Sequence, residues 1–110
     1  MTLSIDALSK CILDILDDMK AENILTLDVR GLTSICDEMV IATGRSSRQV
    51  RAIAEKLEEK IKHTHQLLPV STTGFESGEW ALIDYGDIIV HVMQPDARAF
   101  YNLEALWSKS

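Results

Sequence analysis

The chain has 110 residues, enough to bury a core without disulfides, and we expect one domain spanning residues 1–110. It has neither an apolar run of membrane-spanning length nor a signal-peptide pattern, so we expect a cytoplasmic protein with no membrane partner. A net charge of −6 opposes binding of a nucleic-acid backbone and suits a basic protein partner, and no direct, sequence-specific nucleic-acid contact is expected. The two cysteines, Cys11 and Cys36, are too isolated for a disulfide framework or a zinc site, and no cofactor is predicted.

The N-terminal half predicts one helix and two strands. Ser4 is a suitable cap for a helix whose apolar residues recur at spacings of three and four, namely Ile5, Leu8, Ile12, Ile15, Leu16 and Met19. From Ile24 to Val29 the pattern alternates, which predicts a strand with one wetter face. The apolar run from Glu38 to Thr43 predicts a second strand.

The stretch GRSSR after this strand has two interpretations. Gly44 leaves the strand and Ser46 caps a helix running from Ser47 to about Thr64, with Gln49 completing a capping box. The same turn, with its two arginines, is also suited to hold a phosphate on free backbone N–H groups. It lacks the spaced glycines and the lysine of a P-loop, and this favours a structural cap.

Beyond this helix, Leu67 to Ser71 predicts a short strand, and Pro69 favours an edge position for it. A polar loop from Thr72 to Gly78 is expected to follow. Glu79 to Met93 predicts a hairpin, with a turn near Gly86 that needs positive φ. Both arms are apolar at successive positions, which predicts inner strands covered on both faces.

Gln94-Pro95-Asp96 is expected to lead into one last helix, ARAFYNLEALW. Its predicted inward stripe is Phe100, Leu103 and either Leu106 or Trp107. Tyr101 and Trp107 add two more aromatic residues to a short helix that has only one buried side. Such residues are suited either to the core or to a protein interface.

Three blocks together resemble the Iojap family, the ribosomal silencing factor S (RsfS) proteins. They are DVRGLTSICDEMVIATGRSSRQVRAIA, GEWALIDYGDIIVHVM and RAFYNLEALW, in the family's order and spacing. The resemblance extends from about Leu8 to Trp107. Thr73 stands where the family usually has a glutamate, and Glu38 where it has an aromatic residue.

The resemblance implies an α/β fold with a mixed sheet of about five strands covered by helices, in a nucleotidyltransferase-like topology. It implies a binding module and not an enzyme. Family members bind protein number fourteen of the large ribosomal subunit, hinder joining of the small subunit and repress translation when nutrients are short. Carried over by position, the partner-binding residues are Trp80, Asp84, Tyr85, Asp87, His91, Arg98, Tyr101, Leu103, Glu104 and Trp107. The same surface is a candidate for pairing with a second copy when no partner is bound.

The implied topology also supplies a rival hypothesis, a nucleotidyltransferase-like enzyme. Its phosphate turn would be Gly44 to Ser47, and its Mg²⁺ ligands would be Asp84 and Asp87. Two ligands on one strand face the same side at a spacing of two, whereas Asp84 and Asp87 flank a turn. This spacing argues against the enzyme.

Overall fold

Helices and strands follow one another along residues 4–107, the part of the chain that the computed structural model describes; at 106–107 it describes the backbone alone. In chain order they are α1 (Ile5–Asp18), β1 (Glu22–Asp28), β2 (Glu38–Thr43), α2 (Ser47–His65), β3 (Ser71–Thr73), β4 (Trp80–Asp84), β5 (Ile88–Met93), α3 (Pro95–Tyr101) and α4 (Leu103–Trp107). None of the described helices is long and apolar enough to cross a bilayer.

The strands form one mixed sheet in the order β1-β2-β5-β4-β3. β2 and β5 are parallel, and the other neighbouring pairs are antiparallel. The predicted α/β class and five-stranded mixed sheet are confirmed, while the nucleotidyltransferase-like topology stays a prediction. β3 runs parallel to β2 in the same sheet, but β5 and β4 lie between them, so the two strands joined by α2 are not neighbours.

One side of the sheet, here called the helix face, lies under α1 and α2. Period-two alternation puts Val40 of β2, Ile83 of β4 and Val90 of β5 on this side, where all three are fully buried. They form one core with the apolar stripes of both helices. α1 is capped as predicted, because the Ser4 Oγ accepts a hydrogen bond from the Ala7 N–H at 3.1 Å.

The opposite side, here called the open face, is covered piecemeal. At one end, Ala97 and Leu103 of α3 and α4 pack on Ile41 and Met93. At the other, the β1–β2 connection contributes Val29 and Cys36, which pack on residues of β2 and β5. β5 is therefore buried along its whole length, as predicted, whereas β4 is buried on its helix face and half-buried on its open face.

Two of the predicted elements differ at their ends. β3 begins at Ser71 and includes Thr72 and Thr73, which were expected in a loop. Pro69 lies outside the strand, since proline has no N–H to donate to a neighbouring strand. The predicted edge position of β3 is confirmed. β1 starts earlier than predicted, and its pairing with β2 is irregular after Glu22, where Asn23 has φ of 49°.

The last helix is two helices. Asn102 adopts a left-handed conformation with φ of 48°, and this ends α3 before α4 begins. The break interrupts the predicted inward stripe, and Phe100, expected to face inward, is 81% exposed. Leu103 is buried as predicted. The side chains of Leu106 and Trp107 lie outside the described part of the chain.

Candidate partner-binding surface

The hairpin turn lies at Gly86-Asp87. The Tyr85 N–H donates to the Ile88 carbonyl at 2.9 Å, and Gly86 has φ of 90°, so the predicted positive φ is confirmed. The Gly86 N–H donates to the Asp84 carboxylate at 2.7 Å. One oxygen of this carboxylate is thus used to shape the turn.

Tyr85, predicted to contact a partner, lies inside the protein. Its side chain is 7% exposed and belongs to the helix-face core, where the hydroxyl has no hydrogen-bond partner among the described residues. Burial raises the pKa of this hydroxyl far above its usual value. The alternation Ala81, Ile83, Tyr85 explains the placement, because every second side chain points to the same face.

His91 is also internal, and it orients an aromatic neighbour. It is 4% exposed on the open face, and the Trp80 Nε1–H donates to its Nδ1 at 3.0 Å. Burial lowers the pKa of His91 to about 4, so the ring is neutral at physiological pH. An Nδ1 that accepts places the ring proton on Nε2, which has no partner among the described residues. His91 therefore orients the Trp80 indole from inside the protein, and its contact with a partner stays a prediction.

Three aromatic rings lead from this pair to solvent; Trp80, Tyr101 and Phe100 are here called the aromatic ladder. The Trp80 and Tyr101 ring centroids are 4.6 Å apart with a 47° tilt. Phe100 packs edge-on against Tyr101 at 5.1 Å and 89°. Tyr101 is 48% exposed and Phe100 81%, so the outer two rings present apolar area that the core does not use.

Arg98 fixes α3 to the sheet. Its Nη1–H groups donate to the Asn23 carbonyl at 2.6 Å and to the Thr43 hydroxyl at 2.8 Å, and its Nε–H donates to Glu104 Oε1 at 3.1 Å. Only 12% of the Arg98 side chain is exposed, against 34% of that of Glu104. The predicted contact Arg98 is thus an internal clamp, while part of Glu104 reaches the surface.

The predicted set of ten divides into buried side chains, solvent-accessible side chains and Trp107, whose side chain lies outside the described part of the chain. Tyr85, His91 and Leu103 are buried, and Arg98 nearly so. Among the described side chains, the solvent-accessible members are Trp80, Asp84, Asp87, Tyr101 and Glu104. They do not form one cluster: Trp80 is at one end of β4, and the two aspartates lie at the turn at its other end, about 13 Å along the strand. The half-buried side chain of Leu82 lies between them on the open face.

The Gly44 to Ser47 turn is a helix cap, as the structural interpretation predicted. The Ser46 Oγ accepts from the Gln49 N–H at 3.1 Å, and the Gln49 side-chain oxygen accepts from the Arg45 N–H at 2.6 Å. In this capping box, the Gln49 side chain therefore accepts from the N–H of Arg45 and not, as is usual, from the N–H of the cap residue Ser46. A Cβ at Gly44 would lie 2.8 Å from the Val50 Cγ2, so glycine is needed for close packing.

The groups that the rival enzyme hypothesis requires already take part in structural contacts. Two of the N–H groups that a phosphate would need are bound within the cap, and Arg45 pairs with Glu22. Within residues 4–107, no group of three or more His, Cys, Asp or Glu side chains is placed to hold a metal ion. Asp84 is on the open face and Asp87 in the turn, consistent with the spacing argument.

Comparison with known proteins gives one consistent result. The family model "Ribosomal silencing factor during starvation" matches residues 2–110. A Chromobacterium violaceum protein named Ribosomal silencing factor RsfS is 44% identical over 105 residues, covering 96% of this chain and 85% of its own length. The Arabidopsis thaliana protein "Iojap-related, mitochondrial" is 40% identical over 99 residues, covering 86% of this chain and 53% of its own length.

The fold comparison agrees with the sequence comparison. The crystal structure of a Chromobacterium violaceum protein superposes on this one with a TM-score of 0.92 at 43% identity, covering 98% of this chain and 91% of that one. Likeness of this extent in both sequence and fold establishes common membership. The chain belongs to the ribosomal silencing factor family, which includes the Iojap proteins and is named for regulation of the ribosome and not for catalysis.

Proposed function

We propose that the protein binds the large ribosomal subunit through its protein number fourteen, blocks joining of the small subunit and so represses translation when nutrients are limiting. Family membership supports the general role. The observation that carries the proposed site is the aromatic ladder, whose outer rings are exposed beside a strand that is open on the same face. Aromatic residues of this kind dominate the binding energy of protein interfaces.

The proposed surface is narrower than the set expected from sequence. It consists of the aromatic ladder, Leu82 and the accessible edge of Glu104, with Trp107 next to them in sequence at the end of α4. Arg98, His91 and Leu103 support it from inside. A net charge of −6 would speed the encounter with a basic ribosomal protein, since opposite fields steer association.

Co-sedimentation with purified large subunits tests the surface. Phe100→Ala and Tyr101→Ala should each weaken binding by about 2 kcal/mol, roughly thirtyfold, because anchor residues lose contact area with the partner. Leu68→Ala is the matched control, since Leu68 is also an exposed apolar residue but lies before β3, outside the proposed surface. All three variants should unfold at nearly the wild-type temperature.

The blocking step has its own readout. Large subunits incubated with excess protein should fail to join small subunits in a sucrose gradient, and the Phe100→Ala/Tyr101→Ala double variant should restore joining. Isolated protein number fourteen should bind the wild-type chain and compete with the whole subunit. If the double variant melts normally yet still sediments with the subunit and blocks joining, the aromatic ladder has no part in the mechanism.

We propose in addition that the chain does not transfer nucleotidyl groups, because its Gly44 to Ser47 turn and Asp84 carboxylate have structural duties. Incubation with Mg²⁺ and each nucleoside triphosphate should release no pyrophosphate. Turnover that disappears in Asp84→Asn would contradict this.

Pairing of two copies through the aromatic ladder also stays a prediction. Sedimentation equilibrium would show a dimer, and Tyr101→Ala would weaken it.

A further inference from the structure

β3 leaves one edge of the sheet open. Among the described strands it pairs with β4 alone, and its three residues, Ser71, Thr72 and Thr73, are all exposed. Edge strands are commonly protected by shortness, lysine, proline or a bulge; β3 has only three residues but contains no lysine, proline or bulge. The opposite edge is different, because β1 is interrupted by the irregularity at Asn23.

Apolar side chains and a groove accompany this edge. Leu68 and Val70, just before β3, are among the most exposed large hydrophobic residues described. Between β3 and the outer side of α2 lies a groove of about 530 Å³. Its lining residues are Glu55, Glu58, Glu59, Lys62, Thr72 and Phe75. Three carboxylates against one ammonium make the groove acidic.

The pleat of the sheet aligns the groove with the edge. Thr72 is opposite Ile83, whose side chain is on the helix face, so Thr72 points to the side on which α2 lies. A strand added beside β3 would send every second side chain to that side. Those alternate side chains would meet the glutamates of α2, while the backbone would pair with the free edge of β3.

We propose that this edge binds an extended, lysine- or arginine-rich segment of a basic protein as a sixth strand. The backbone of the segment pairs with β3, and its alternate basic side chains contact Glu55, Glu58 and Glu59. Charge complementarity selects this occupant, because none of the three glutamates has an ion-pair partner among the described residues. The site is on the helix-face side of the sheet and is independent of the aromatic ladder.

The proposal is tested with a short fluorescent peptide that alternates lysine and threonine. At low salt its anisotropy should rise as protein is added. A peptide of the same sequence with alternate backbone amides N-methylated should bind at least about tenfold more weakly, because it keeps the charge but loses the strand hydrogen bonds. A peptide that alternates glutamate and threonine should not bind. Equal binding of the first two peptides would mean that charge alone drives the interaction and that no strand pairing occurs, which would overturn the proposal.

Two charge-matched triple variants locate the site. Glu55→Gln/Glu58→Gln/Glu59→Gln should weaken peptide binding about tenfold, whereas Asp14→Asn/Asp17→Asn/Asp18→Asn on α1 should change it less than about twofold. In amide NMR spectra, peptide should shift Ser71, Thr72 and Thr73. Shifts confined to β1 or α1, or equal losses in both variants, would refute this site. Co-sedimentation of the glutamine variant with large subunits should be unchanged, which separates this result from that of the proposed ribosome contact.

Discussion

The two faces of the sheet differ in how they are closed. The helix face is covered by two long amphipathic helices, and Val40, Ile83 and Val90 beneath them have no exposed surface. The open face is only partly covered, by two short helices and a loop. They leave Leu82 and Trp80 half-buried and the outer aromatic rings in solvent. One face thus supplies most of the closed core, and the other retains accessible apolar surface.

Neighbouring residues of β4 test this difference with the largest expected effect. Ile83→Ala on the helix face should destabilise the protein by about 2–5 kcal/mol, because it leaves a cavity in a closed core. Leu82→Ala on the open face should cost about 1 kcal/mol or less, since water already reaches this side chain. Urea unfolding measures both values. Equal costs would mean that the open face is as closed as the helix face.

The buried imidazole of His91 makes stability depend on pH. The folded state lowers its pKa from 6.5 to about 4, so the unfolded chain binds the proton more readily. The contribution of His91 to the free energy of unfolding is fully present above pH 6.5. It declines as the pH falls towards 4, by roughly 3 kcal/mol in all.

His91→Gln should remove this part of the pH dependence while the contribution of the carboxylates remains. The measurement is the free energy of unfolding at several values between pH 4 and 7 for both proteins. Parallel curves for wild type and variant would show that His91 does not resist protonation. Because Trp80 donates to His91, tryptophan accessibility to quenchers in folded wild type should rise only as the pH falls through about 4, where the ring becomes protonated and Nδ1 can no longer accept.

The Arg98 clamp should matter to the open face and much less to the helix face. Arg98→Ala should cost about 2 kcal/mol, because the buried Thr43 hydroxyl loses its donor and the more exposed Asn23 carbonyl and Glu104 carboxylate lose a partner. Hydrogen exchange should quicken in α3 and not in α2. Arg48→Ala, at an exposed arginine of α2, is the control and should stay within about 0.5 kcal/mol of wild type. Unchanged exchange in α3 would show that apolar packing alone holds it.

The hairpin turn serves both faces, and the smallest effect is expected there. Gly86→Ala should cost about 1 kcal/mol, because alanine is strained at φ of 90° although its Cβ would meet no close atom. Gly86→Asn should cost less, since asparagine tolerates positive φ better. Thermal unfolding compares the two. An alanine variant with the wild-type melting temperature would contradict the strain argument.

Sequence periodicity predicted the helix face well and the open face poorly. The apolar spacing of α1 and α2 and the capping by Ser4 and Ser46 follow local rules, so these helices were predicted with bounds close to those observed. The open face depends on where short elements end. Asn102 provided a signal, because asparagine is common at a left-handed helix end, but the apolar pattern runs through it.

The candidate site shows the same limit. The resemblance assigns Tyr85 and His91 to an interface by position alone, and position does not reveal that both are buried in the folded chain. Counting alternate residues from Ile83 would have assigned Tyr85 to the helix face. The exposure of Phe100 accompanies the helix break, which no local pattern fixes. The turn at Gly86 was predictable because a single steric rule determines it.

The central position of β5 has a consequence for the order in which the chain can fold. Of the described strands, β5 alone joins the β1–β2 pair to the β4–β3 pair. Its register sets Glu38 opposite Ile88, fifty positions later, so β2 must wait for a distant partner during synthesis. A nascent chain that stops before residue 88 lacks the strand that joins the two pairs, so it cannot form the continuous sheet. Completion of the sheet is therefore a late, non-local event that must wait for β5.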